Sequence, residues 1–316
     1  MTTASELMIE RHGRARSASR RRANFVIFLG PAIVLTAIFF IVPVLIDIAV
    51  SFTDLGRSLR ITELTTEQYE KVFRGDPRLT QVIGLTFIYV FATLAIFNVT
   101  FGLVLALTTA SLGKLSGGFF RGVWLLPRMS PSVLYILLWL WVVDPSEAGL
   151  LNQILMHGLG LEAPLDLKTQ APVMLIIVAN GFIGASMGMI IFTAAIRGIP
   201  EHLFHAARVD GAGSLSIVRH ITLPALRWPI SFITIYQTLS LLVSFEYILL
   251  LTKGGPFYDT TVYALYIYRR AFESGQYAYG AALALVLIVI GIALALLGWR
   301  FLDMKKLLQA PRIEVQ

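Results

Sequence analysis

The chain has no cysteine. Disulfides, thiolate metal sites and a cysteine nucleophile are therefore excluded, and nothing records the redox compartment. Charge is scarce as well. Asp, Glu, Lys and Arg make up 14% of the 316 residues, against about 25% in an ordinary soluble domain. So few charges cannot cover a protein of this size in water, which excludes a disordered chain, a collagen-like chain and a soluble nucleic-acid-binding domain. The chain also lacks a G-x-x-x-x-G-K-[ST] phosphate loop, because Gly113-Lys114 is followed by Leu115 and has no upstream glycine. It does not hydrolyse ATP by itself. There is no H-E-x-x-H run and no pair of intramembrane carboxylates on neighbouring turns, so metalloprotease and aspartyl protease chemistry have no residues to use.

What is abundant is apolar surface: 56% of residues are hydrophobic and the mean hydropathy is +0.74. This is the composition of an integral membrane protein. A bilayer core needs about 20 mainly apolar residues per helix. Six stretches qualify, at roughly 25–50, 81–110, 122–143, 173–196, 229–251 and 281–299. They are too long, and too poor in alternation, for barrel strands. The expected fold class is an all-α integral membrane protein with six transmembrane helices. The expected organisation is a basic tail at 1–24, a membrane domain at 25–303 with a large loop at 198–225, and a second tail at 304–316.

Six spans put both termini on one side, and the positive-inside rule chooses the side. Sixteen of the 26 Lys and Arg residues fall on the side of the termini, nine on the other, and Arg128 lies inside a span. Both termini are expected in the cytoplasm. The basic start is not a signal peptide: the apolar run after it is too long, contains Pro31 and Pro43, and lacks a small-residue cleavage site. The net charge of +7 suits anionic lipid headgroups and not nucleic acid.

The 198–225 loop reads as two short amphipathic helices around a glycine bend. Pro200 suits a first helical turn, Glu201 complements the positive end of the dipole, and Leu203, Phe204 and Ala207 share one face. Gly211 is placed to stop the helix in the left-handed conformation. A second helix is expected from Ser214, with Ile217, Val218 and Ile221 on one face and Pro224 at its end. Such a loop either lies on lipid or docks a soluble partner.

Polar residues inside spans are costly and tend to face a cavity or a partner helix. The candidates for a solute pathway are Asn98, Arg128, Asn180, Gln237, Ser240, Ser244 and Glu246, with Tyr236 and Tyr247 as stacking groups. Gln237, Ser240 and Ser244 recur at i, i+3 and i+7 and share a helix face. Arg128 has three readings: it snorkels, it pairs with Glu246, or it meets an anionic group on a substrate. Ser186 is bland by comparison. Gly184-Ala185-Ser186-Met187-Gly188 satisfies the G-x-S-x-G nucleophile pattern, but none of the five histidines falls in a span. Gly184 and Gly188 read instead as a small-residue helix-packing pair. Few intramembrane ionisable residues and no visible inverted repeat speak against a secondary transporter.

Ala206-Ala207, Gly211 and Ile221-Thr222-Leu223-Pro224 resemble, at full spacing, the cytoplasmic motif of permease subunits of binding-protein-dependent ABC importers, which has the form Glu-Ala-Ala, three residues, Gly, nine residues, Ile-x-Leu-Pro. His205 stands where that family usually has Glu. Asp210 and Ala212 beside Gly211, Ser51-Phe52-Thr53-Asp54, Leu126-Pro127 with Pro131, and Leu251-Thr252-Lys253-Gly254-Gly255-Pro256 resemble the carbohydrate-import branch.

The resemblance implies a transmembrane subunit that is not an enzyme and binds no cofactor of its own, with ATP and Mg held by a partner. It implies a sugar-type solute moved by alternating access. It also implies two ATPase subunits, a second permease subunit (a paralogue or a second copy), an extracytoplasmic solute-binding protein, and a bacterial or archaeal cytoplasmic membrane. The 198–225 loop becomes a coupling helix, with Glu201, Leu203, Phe204, His205, Ala206, Ala207, Asp210 and Gly211 as its ATPase-facing residues. An imidazole at His205 implies a docking contact sensitive to pH. The 51–80 and 253–276 segments become a landing surface for the binding protein. Disaccharides, polyols, glycerol phosphodiesters and acidic sugars all remain open as cargo.

Overall fold

A computed structural model describes residues 27–301. The tails expected at 1–24 and 304–316 lie outside the described residues. Among those described, the regular secondary structure is helical, and β pairing is limited to an isolated bridge between Thr53 and Leu64.

Four helices are long and apolar enough to cross a membrane: α1 (Ile27–Ser51), α2 (Pro77–Ser111), α5 (Pro172–Arg197) and α11, which runs Tyr277–Phe301 with its apolar stretch ending at Gly298. The third expected stretch is not a straight span. It divides into α3 (Lys114–Met129) and α4 (Ser132–Val142), which meet at a 100° bend. Pro127 and Pro131 explain the break, since each removes a backbone donor and crowds the preceding turn. The fifth stretch is also interrupted: α8 (Arg227–Val243) stops at an extended Ser244, and α9 (Glu246–Leu251) starts anew. Helix length and composition alone thus support four crossings, or five with the bent pair.

Two elements sit between α5 and α8. Helix α6 (Glu201–Val209) follows α5 directly, and α7 (Ser214–Ile217) continues through a wide π turn, Val218–Thr222, into Leu223–Ala225. Pro224 therefore does not end the second helix. It falls in the first turn after the π segment, where its missing N–H is tolerated. Pro200 is the N-cap residue of α6 and stands just outside the first turn expected for it. Helix α10 (Tyr263–Tyr268) precedes α11.

The centre of the fold is α5 lying along the second half of α2. Small residues make this possible. Cβ atoms on Gly181, Gly184 and Gly188 would meet the Phe97 ring, the Asn98 amide and the Asn98 carbonyl oxygen at 2.3, 2.2 and 2.4 Å. Phe97, Asn98 and Gly102 meet Gly181, Gly184 and Gly188 in that order, so the helices run parallel. Pro77 and Pro172 thus share one end of the bundle, and Ser111 and Arg197 the other. This contact uses Thr93–Phe101, a π segment of α2 that adds residues to the turn and presents Thr93 and Asn98 inward. Around it, α11 packs on the C-terminal half of α1 and on α8, while α4 packs on α9.

Candidate functional site

The broken spans meet around a cavity of about 270 Å³. Arg128 reaches it from the last turn of α3, Asn180 and Gly184 from the middle of α5, Gln237, Ser240 and Ser244 from α8 and its end, and Tyr247 from α9. Six of the nine polar and aromatic residues singled out in the spans therefore line one space. Their assembly has a simple cause. The i, i+3, i+7 stripe of α8 faces α5, where Gln237 Nε2 donates to the Gly184 carbonyl at 3.1 Å. Asn180 Nδ2 donates to Ser244 Oγ at 3.1 Å and to the Tyr89 hydroxyl. The extended Ser244 and the new start at Glu246 leave backbone groups at the same level, and such unwinding is tolerated inside a membrane where it is buried in protein or lines a cavity.

The other three residues lie elsewhere. Asn98 is buried between Gly184 and Gly188, and neither polar atom of its side chain has a partner. Tyr236 is 43% exposed and stacks on Phe232 with centroids 6.1 Å apart. Glu246 accepts a hydrogen bond from the Ser132 hydroxyl at 2.5 Å, which ties the start of α9 to the start of α4. Three residues of this region had no local signal. Tyr89, Tyr135 and Ser132 sit within apolar runs or beside a proline, and only the fold brings them to the site. Tyr135 donates to the Ala179 carbonyl at 2.5 Å and meets Tyr247 edge-on at 5.9 Å. Together they hold the cavity wall.

The G-x-S-x-G segment is part of the packing surface. Ser186 is fully buried and donates to the Ile183 carbonyl at 2.7 Å. The described histidines, His157, His202, His205 and His220, are all exposed outside the long spans, so none of them reaches it.

At the Arg197 end, α6 stands on the surface with no buried residue. Leu203 is 42% exposed, Phe204 and Ala207 are half-buried, and Glu201, His205, Ala206, Asp210 and Gly211 are exposed. The helix ends in a Schellman turn. The Ala212 N–H donates to the Ala207 carbonyl at 2.9 Å and the Gly211 N–H to the Arg208 carbonyl at 3.1 Å, with Gly211 at φ +79°. Val209 and Leu215 flank the bend, 87% and 81% exposed. This is an amphipathic surface with a rigid corner.

At the opposite end, the 51–80 and 253–276 segments pack together. Arg57 Nε donates to the Ser274 carbonyl at 3.0 Å, and the Ala278 N–H to the Leu55 carbonyl at 3.0 Å. Gly254, at φ +71°, turns the chain, and its carbonyl accepts from Thr261 Oγ1 at 2.8 Å. Phe257 is left 93% exposed on this face. Beneath it lies a polar knot that sequence reading missed. Asp76 caps α2 by accepting from the Arg78 N–H at 3.1 Å, accepts from Tyr279 at 2.6 Å and from Tyr266, and faces Arg270 at 3.5 Å. Burial works to raise the Asp76 pKa, but the two tyrosine hydroxyls, the Arg78 N–H and the Arg270 charge together hold it below its ordinary value. Tyr266 and Tyr279 are 190 and 203 residues from Asp76, which no local pattern spans.

Comparison with known proteins adds a second line. Residues 98–301 match the family described as binding-protein-dependent transport system inner membrane component. The diacetylchitobiose uptake system permease protein NgcF of Streptomyces coelicolor is 30% identical over 287 residues, covering 86% of this chain and 80% of that protein. The lactose transport system permease protein LacF of Rhizobium radiobacter is 28% identical over 290 residues, covering 90% of this chain and 96% of that protein. Among solved structures, a chain of a bacterial alginate ABC transporter in complex with an alginate pentasaccharide-bound periplasmic protein superposes with a TM-score of 0.77 at 24% identity, over 89% of this chain and 94% of that one. That likeness concerns the fold alone.

Proposed function

Since the chain belongs to the binding-protein-dependent transport system inner membrane components, we propose that it is the transmembrane subunit of an ATP-driven importer for a sugar or sugar derivative. The observation that carries the cargo assignment is the polar cavity between the broken spans. Hydroxyl and amide groups from Asn180, Gln237, Ser240 and Ser244 converge there beside the Tyr247 ring. A space offering both donors and acceptors next to an aromatic face suits a polyhydroxylated solute. The named cargo of the similar permeases, diacetylchitobiose and lactose, is of the same class.

The mechanism follows from the two ends of the bundle. The chain has no phosphate loop, so the energy comes from a separate ATPase, with ATP and Mg bound there. In this reading α6 is the coupling helix. Leu203 and Phe204 supply apolar anchors, Ala206 and Ala207 allow close approach, Gly211 fixes the corner, and Glu201, His205 and Asp210 form the polar edge. Movement of α6 reaches the cavity through α5 and α8, which flank it in sequence and both line the site. The cavity then opens alternately to either side. The face bearing Phe257 receives the solute-binding protein. Two ATPase copies and a second permease subunit complete the assembly, both termini are cytoplasmic, and the bundle crosses the membrane six times, with the two broken segments counted as spans.

Purification of the tagged chain from its native membrane in mild detergent, with mass spectrometry of what accompanies it, tests this reading. An ATPase and a second permease should co-purify. A chain that runs alone at every salt concentration would make α6 a lipid-surface element and favour a stand-alone transporter.

A further inference from the structure

Arg128 occupies an unusual place for a charged residue. Its side chain lines the cavity at the level of Gly184, which lies near the midpoint of α5 (Pro172–Arg197). Arg128 is exposed, and a charge within a span is costly unless it is hydrated or neutralised. The ion pairs among the described residues are Arg269 with Glu273 and Arg270 with Asp76. Among the described residues, Arg128 has no carboxylate within 4.0 Å. The nearest acid in the sequence reading, Glu246, is held instead by Ser132 at 2.5 Å. The remaining polar groups of the cavity are neutral amides and hydroxyls. The site therefore carries one positive charge without an ion-pair partner, among hydrogen-bonding groups suited to a saccharide.

We propose that this cavity selects an anionic saccharide, a uronate or a sugar phosphate, and that Arg128 is the residue that binds the anion. The proposal rests on the saccharide reading above and goes beyond it by naming the charge of the cargo. A guanidinium presents paired N–H donors that match a carboxylate or phosphate, and such charge-assisted bonds are about twice as strong as neutral ones. The unpaired charge of Arg128 then becomes selectivity. A neutral sugar leaves the charge unpaired, whereas an anionic one satisfies it.

Equilibrium binding to the purified complex of permease and partner subunits decides the matter. The probes are cellobiose and cellobiouronic acid, which differ by one carboxylate, and glucose and glucose 6-phosphate. The uronate or the phosphate should bind at least about tenfold more tightly than its neutral twin. Arg128→Gln should abolish that difference, and Arg128→Lys should keep part of it. Equal binding of twins by the wild type, or an equal fall for both twins in Arg128→Gln, overturns the proposal. So does loss of the second permease subunit from Arg128→Gln with twins bound equally, which would make Arg128 an interface residue. If Arg128→Gln fails to assemble, the wild-type comparison of twins decides alone. If no probe of either charge binds to an intact complex, the saccharide reading fails as well, and the two failures are thereby told apart.

Discussion

Gly184 and Asn98 touch so closely that a methyl group on the glycine would stand 2.2 Å from Asn98 Oδ1. Four residues on, a methyl on Gly188 would stand 2.4 Å from the Asn98 carbonyl oxygen. One asparagine, buried in a π segment with its amide unpartnered, thus sets the spacing of the two central helices.

These two glycines should respond differently to the same substitution. Gly184→Ala meets the end of a side chain, and Gly188→Ala meets backbone. Overpacking costs about 1–3 kcal/mol, with Gly188→Ala at the upper end. Asn98→Ala should rescue Gly184→Ala and leave Gly188→Ala unrelieved. Thermal unfolding of the detergent-purified single and double variants measures this, and equal rescue of both would refute the contact assignment.

The Asp76 knot makes a prediction with a definite sign. The folded pKa of Asp76 lies below its ordinary value of 3.8. Its contribution to stability is therefore complete above that ordinary value and is lost only as pH falls through the lower folded one. The wild-type protein should show no loss of melting temperature through this group from neutral pH down to about 5. Asp76→Asn should cost about 3 kcal/mol across that range, because Arg270 keeps its charge without a carboxylate beside it. A deficit that shrinks as pH falls within that range would mean that Asp76 titrates higher than its partners allow.

Gly211 separates backbone from packing. Its φ of +79° is left-handed, yet a Cβ there would meet nothing within 4 Å. Gly211→Asn should be tolerated, since asparagine visits that conformation. Gly211→Val should cost about 1–2 kcal/mol and reduce ATPase retention on the purified complex. If valine retains the ATPase as well as asparagine does, the Schellman corner is not part of docking.

His205 offers a test of side-chain identity at the same surface. It is exposed on α6, at the position where the motif it resembles has Glu. If its imidazole makes the ATPase contact, His205→Ala should reduce retention of the ATPase on the purified complex. Undiminished retention would remove His205 from the contact.

Much of this architecture was legible in the sequence, because apolar runs and glycine bends are local signals. The long spans, the left-handed Gly211 and the packing role of Gly184 and Gly188 belong to this class. The stripe of Gln237, Ser240 and Ser244 was visible as a helix face, but its partners Arg128, Asn180 and Tyr247 meet it only through the fold. Hydropathy also hid the breaks. By hydropathy the run of residues 122–143 reads as continuous, and only Leu126-Pro127 and Pro131, which resemble a broken third span, signal the 100° turn; residues 229–251 conceal the extended Ser244. Asn98 read as a pathway residue because a polar side chain in a span looks the same whether it faces a cavity or a glycine. Asp76, Tyr266, Tyr279 and Arg270 join the two ends of the chain, a juxtaposition that spacing does not encode.

The central claim is that this chain forms an ATP-coupled path for saccharides. Uptake of labelled saccharides into proteoliposomes holding the permease with its co-purified ATPase and second permease, supplied with the solute-binding protein, tests it most directly. The account predicts uptake that requires ATP and the binding protein, and that falls with Gly211→Val while the cavity stays intact. Uptake that persists without ATP, or ATP hydrolysis with no solute moved by the complete assembly, would contradict it.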